Sequence, residues 1–126
     1  MRAVTDWRAV TVGFFAIILL GTVGLVIPGL GQLIAAVIGG LVAGYLAGGG
    51  LLRGFWHGLL AGSLGGIFVA IIVWLVVTIV GLSLGPVVGA IGSVLGVGTF
   101  LVILLLSLSA ALESALGGAI GGVLAE

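Results

Sequence analysis

From residue 9 to residue 52 no side chain is charged, and Thr11, Thr22, Gln32 and Tyr45 are the only polar ones. About 20 apolar residues carry a helix across bilayer hydrocarbon, so this run is long enough for two passages and must turn back on itself. The turn is predicted at Ile27-Pro28-Gly29-Leu30-Gly31, where proline withdraws a backbone donor and glycine ends helices. That division gives helix 1 over residues 11–27 and helix 2 over 31–47, both slightly short. Gly48-Gly49-Gly50 closes helix 2, and Arg53 marks the loop beyond it. Helix 3 follows over 54–80, long enough to cross with some tilt. A second turn is predicted at Gly81-Leu82-Ser83-Leu84-Gly85-Pro86, and helix 4 over 87–112. The glycine-rich stretch 87–98 reads equally as interfacial or re-entrant, and 113–126 as a short surface helix or a frayed tail. The expected fold is therefore all-α: one domain over 1–126 with four transmembrane helices.

Composition supports lipid as the solvent. The chain is 63% hydrophobic and 5% charged, with a mean hydropathy of +1.64. A soluble domain carries about 25% charged residues, because its surface must stay hydrated. Arg2 and Arg8 before an apolar run suggest a signal peptide, but the run is long and no A-x-A site follows, so a retained helix is expected. Absent residue types exclude much chemistry. Without cysteine there is no disulfide, thiol nucleophile or thiolate metal site, and without lysine no Schiff base. A net charge of zero leaves no basic patch for nucleic acid. No glycine stretch carries a phosphate-loop lysine, and no serine has a base at depth. The expectation is no catalytic residue, no cofactor, no metal and no enzymatic activity.

The few polar groups set an orientation. Arginines near membrane ends stay cytoplasmic. Arg2 and Arg8 precede helix 1, and Arg53 lies between helices 2 and 3, on the same side of a serpentine bundle. Trp7, Tyr45, Phe55 and Trp56 fall on that side too, as headgroup-level aromatics do. Both termini are therefore expected in the cytoplasm, with Trp7, Arg8, Tyr45, Arg53, Trp56 and His57 as interfacial anchors. Arg53 and His57, four apart, admit a proton or anion site, but interfacial snorkelling of Arg53 is the preferred reading. A single histidine builds no zinc site. Asp6 is placed to cap helix 1. Ser63, Thr78, Thr99, Ser107 and Ser109 are expected to bond their own helix carbonyls. Glu113 is expected to be solvated or paired with Arg53 or Arg8.

Glycine dominates what remains: 26 of 126 residues. Helix 3 opens on Gly54, Gly58, Gly62 and Gly66, and helix 2 carries Ala36, Gly40, Gly44 and Gly48. Gly81, Gly85 and Gly89 make a third stripe, and Ser114, Gly118 and Gly122 a fourth. Residues four apart share a helix face, and small ones let a second backbone approach closely. The helix 3 stripe is expected against that of helix 2, its neighbour through a short loop. A stripe facing a second copy is the competing expectation. A weak echo, Trp7-Arg8-Ala9 with Gly13 against Trp56-His57-Gly58 with Gly62, suggests a duplicated hairpin.

The stretch Ala43-Gly44-Tyr45-Leu46-Ala47-Gly48-Gly49-Gly50, with Trp56-His57-Gly58-Leu59-Leu60-Ala61-Gly62 and the opening Asp6-Trp7-Arg8-Ala9-Val10, resembles a family of small haloarchaeal membrane proteins of unknown function. The resemblance covers about the first two-thirds and is loose beyond Val80. It implies an archaeal four-span membrane protein and transfers no activity. The functional expectation is a multi-pass cell-membrane protein serving as a packing, scaffold or accessory subunit. Its partners would be the lipid bilayer and either further copies or another membrane protein. The alternative is a homo-oligomeric channel or small transporter, for which only hydroxyls and Gln32 would be available at depth.

Overall fold

The structure, a computed structural model, describes residues 5–126; Arg2, one of the three arginines used for orientation, lies outside them. The chain is helical throughout: α1 (Trp7–Val23), a 3-10 turn (Gly24–Val26), α2 (Leu30–Ala47), α3 (Leu51–Ser83) and α4 (Pro86–Leu124). All four α-helices are long and apolar enough to cross a membrane.

Local chemistry sets the ends. α1 begins at Trp7, earlier than expected, because the Asp6 carboxylate accepts from the backbone N–H groups of Arg8 at 3.0 Å and Ala9 at 3.3 Å. It ends before Pro28, since the residue preceding a proline avoids the helical region; Ile27 sits at φ −122°, ψ 89°. Between α2 and α3, Gly48, Gly49 and Gly50 adopt φ of 59°, 80° and 91°, a conformation that side chains with a Cβ resist. This three-glycine reversal lets α3 start at Leu51, so Arg53 lies within its first turn rather than in a loop. Pro86 starts α4 at a position where its missing N–H costs nothing.

Two expectations are corrected in α4. Residues 87–98 are ordinary helix, and 113–126 form no separate element, because α4 continues without interruption to Leu124. Glu113 marks a change in polarity, not a helix end: the residues around it are alanine, leucine and serine, none of which stops a helix. The extended α4 and α3 form a hairpin of 39 and 33 residues, whereas α1 and α2 form one of 17 and 18. The tryptophan echo therefore aligns two helix starts but not two equivalent hairpins.

Small residues carry the interior. Among the described residues the buried apolar side chains are Val10 and eight alanines, including Ala35, Ala43, Ala61 and Ala115, and the large aliphatic residues point outward. A soluble fold would invert this arrangement. With outward-facing leucine, valine and isoleucine, the helices meet almost backbone to backbone.

Candidate functional site

The final third of α4 lies in the groove between α2 and α3. Here Ser114, Gly118 and Gly122 face α3, while Gly117 and Gly121 face α2. A methyl carbon built on Gly118 would stand 2.8 Å from Gly58 Cα; on Gly58, 2.9 Å from Gly118 Cα; on Gly54, 2.8 Å from Gly122 Cα. Carbon atoms rest at about 3.5–4.0 Å, so no side chain larger than hydrogen fits without moving a helix. Gly62 meets Ala111 and Ser114, and Gly66 meets Ser107.

The predicted partner of the Gly54–Gly58–Gly62–Gly66 face is therefore corrected. That face meets α4, and the α2 glycines meet α4 as well: Gly40 contacts the Ser114 backbone and Gly44 the Gly118 backbone. The physical reason is the double small face of α4, which fits two grooves at once, so α4 comes between α2 and α3 where their stripes run. Gly48 does not join the stripe. It caps α2 at φ 59°, and a Cβ there would meet nothing within 4 Å. On its other side α2 packs against α1, with Gly39 and Ala43 against Gly13 and Ile17.

The polar groups gather at the end of the bundle where α1 and α3 begin and α2 and α4 finish. His57 is fully buried within the bundle. Its Nε2 accepts the Asp6 backbone N–H at 2.7 Å, and its Nδ1 lies 2.7 Å from the Arg53 carbonyl. A carbonyl cannot donate, so Nδ1 carries the proton and the ring is neutral with both nitrogens engaged. Beside it, the Trp56 indole N–H donates to the Thr5 hydroxyl at 3.0 Å. Both bonds tie the start of α1 to the first turns of α3. Ser114, the other buried polar side chain, donates to the Gly58 carbonyl at 2.7 Å and fastens α4 to the same turn.

Trp7, Arg8, Tyr45 and Trp56 are exposed at this end, whereas Arg53 is half-buried and its Nε has no hydrogen-bond partner. Glu113 is half-exposed, roughly level with Gly62 across the α3–α4 seam. Thr99, Ser107 and Ser109 bond carbonyls of their own helix. Thr78 does not: its hydroxyl is buried beside Trp74 and Gly96 without a partner. Ser63 and Ser107 line an apolar groove of about 540 Å³ between α3 and α4. Among the described residues no three of His, Cys, Asp and Glu come together to hold a metal ion.

Ser114 stands in the fourth small-residue stripe, but the assignment of 113–126 to a surface helix or tail placed it outside the bundle. Thr5 was not singled out by sequence. For Thr5, fifty-one residues from its partner, no local signal exists.

Compared with known proteins, residues 7–124 match a family of unknown function (DUF5518), past the Val80 at which the resemblance above loosens. No curated protein and no solved structure matches the chain.

Proposed function

The chain belongs to the DUF5518 family of unknown function, and we propose that it is a non-enzymatic, multi-pass protein of the cell membrane, a packing, scaffold or accessory subunit whose helices assemble through glycine contacts. The observation that carries this reading is the use made of polarity. The two buried polar side chains, His57 and Ser114, hold helices together, while large aliphatic side chains face outward on every helix. The buried polar groups His57 and Ser114 serve packing, and the outer surface suits acyl chains.

The orientation belongs to the same proposal. Arg8 and Arg53, with exposed Trp7, Tyr45 and Trp56, cluster at one end, which is assigned to the cytoplasm by the positive-inside rule. Both termini and the Gly48–Gly50 loop then face inward. The haloarchaeal source rests on the Asp6–Val10 and Ala43–Gly50 resemblance alone.

The test is purification from native membranes in mild detergent, with mass measurement, followed by reconstitution and ion-flux assay. A defined complex with another membrane protein, or a lone bundle without flux above empty liposomes, fits the reading. A homo-oligomer that conducts ions or carries a solute overturns it in favour of a channel or transporter.

A further inference from the structure

We infer that the two hairpins end at different depths: the α1–α2 turn stops inside the hydrocarbon, presenting Leu25, Val26 and Ile27 to lipid acyl chains, while α3–α4 alone reaches the far surface. The inference rests on the membrane reading above and refines it.

Helix lengths give the first reason. α1 and α3 run side by side, joined at the polar end by Asp6–His57 and further up by Phe14–Phe68 and Ile17–Gly65. Continuing that register puts the end of α1 near residue 74 of α3. α3 goes on to Ser83 and α4 returns from Pro86, so this hairpin runs on by about 15 Å at 1.5 Å per residue. In this outer part the glycines Gly81, Gly89, Gly92 and Gly96 meet only atoms of α3 and α4.

Polarity gives the second. Glu113, level with Gly62, is the innermost charge and marks the near edge of the hydrocarbon. From Gly62 to Ser83 is about 31 Å of helix, which matches a hydrocarbon core of about 30 Å. The same level on α1 lies near Val12, from which Val26 is only about 21 Å away, so the shorter turn falls roughly 10 Å below the far edge.

Raising the α1–α2 turn to the surface would push the outer hairpin into water. That hairpin bears Val76, Ile79, Val80, Leu82, Leu84, Val87, Ile91, Val94 and Leu95, all more than half exposed, and no charge.

The short turn keeps its unpaired backbone small without removing it, since lipid-exposed irregular backbone is costly at depth. The N–H groups of Ile27, Gly31 and Leu33 donate to the carbonyls of Gly24, Ile27 and Gly29, Pro28 has no N–H, and those of Gly29, Leu30 and Gln32 have no backbone acceptor. Of the polar side chains near the turn, the Gln32 amide donates to the Gly21 carbonyl at 3.0 Å and the Thr22 hydroxyl to the Ile18 carbonyl at 2.8 Å. Val26 is 84% exposed, an orientation that acyl chains satisfy.

The chain has no cysteine, so single-cysteine variants report depth directly. Leu52→Cys, Val26→Cys and Ser83→Cys would be reconstituted in oriented proteoliposomes and treated from each side with a membrane-impermeant maleimide, then spin-labelled for oxygen and nickel-chelate accessibility. The expected result is that Leu52→Cys reacts from one side and Ser83→Cys from the other. Val26→Cys should react at least ten-fold more slowly from either side and prefer oxygen over nickel. Comparable labelling of Val26→Cys and Ser83→Cys from one side overturns the inference and leaves the membrane reading intact. Release of the protein by alkaline carbonate overturns both.

Discussion

Gly118→Ala is the most direct probe of the α2–α3–α4 junction, because one methyl group tests the closest helix approach. The added carbon would lie 2.8 Å from Gly58 Cα and 2.9 Å from Gly58 N, and closer still to the Gly54 carbonyl oxygen. Restoring ordinary contact requires α4 and α3 to part by about 1 Å. The same shift disturbs Gly44, which packs on the Gly118 backbone from the other side. Overpacking of this kind costs about 1–3 kcal/mol, and lipid supplies no hydrophobic compensation between helices. Against this, alanine is about 1 kcal/mol better than glycine within a helix.

The two terms separate if Gly98→Ala is measured beside it. Gly98 is exposed on α4, and a methyl group there would meet nothing within 4 Å, so only the propensity gain remains. Gly98→Ala should be neutral or stabilising by up to about 1 kcal/mol, and Gly118→Ala destabilising by about 0–2 kcal/mol, a gap of about 1–3 kcal/mol. Reversible unfolding in mixed micelles, followed by tryptophan fluorescence, measures both. If the two variants are equally stable, the close approach carries no energy and the junction is not what holds α4 in place.

Ser114→Ala removes the donor to the Gly58 carbonyl and should cost about 0.5–1.5 kcal/mol in the same unfolding assay, as interhelical hydrogen bonds in lipid do. His57→Ala leaves the Asp6 N–H without its acceptor, so amide exchange at the first turn of α1 should accelerate well before α3 opens. Zinc at micromolar concentration should leave the thermal midpoint unchanged, because both ring nitrogens are already engaged. Residues 1–9 should be protected from externally added protease in intact cells if the arginine end faces the cytoplasm. Protection lost without permeabilisation would reverse the orientation.

The sequence was most informative where a residue acts through its own neighbours. Asp6 sits three residues ahead of the uncharged run, so its capping role was visible in spacing alone, as was the Pro28 break. Glycines at i+4 spacing marked which faces are small, a property of one helix. They did not say which face meets which, because every small face fits every other. Their short connecting loop therefore suggested α2 against α3, while α4 carried two such faces and took the groove between them. The burial of His57 was hidden for a related reason. Its position in the first turns of α3 suggested headgroup depth, but its burial depends on the start of α1 folding over it, fifty-one residues away in sequence.

The same geometry bears on the competing expectation that a glycine stripe joins two copies. Gly40, Gly44, Gly54, Gly58, Gly62, Gly118 and Gly122 all meet backbone or small side chains of their own chain at distances that leave no room for another helix. A second copy would have to meet the outer faces, where leucine, isoleucine and valine stand exposed on every helix. Close approach of two backbones is not available there, so association would rely on side-chain packing alone, against acyl chains that pack about as well. The glycine content is thus accounted for within one chain: α4 approaches α3 along its length and α2 over its last third. It is a requirement of fitting long helices together with almost no polar adhesive. Gly13, Gly24, Gly31 and Gly39 serve the α1–α2 contact, and Gly29, Gly48, Gly49, Gly50 and Gly85 serve turns at positive φ, so among the helical glycines only Gly98, exposed with no neighbour within 4 Å, has no such use.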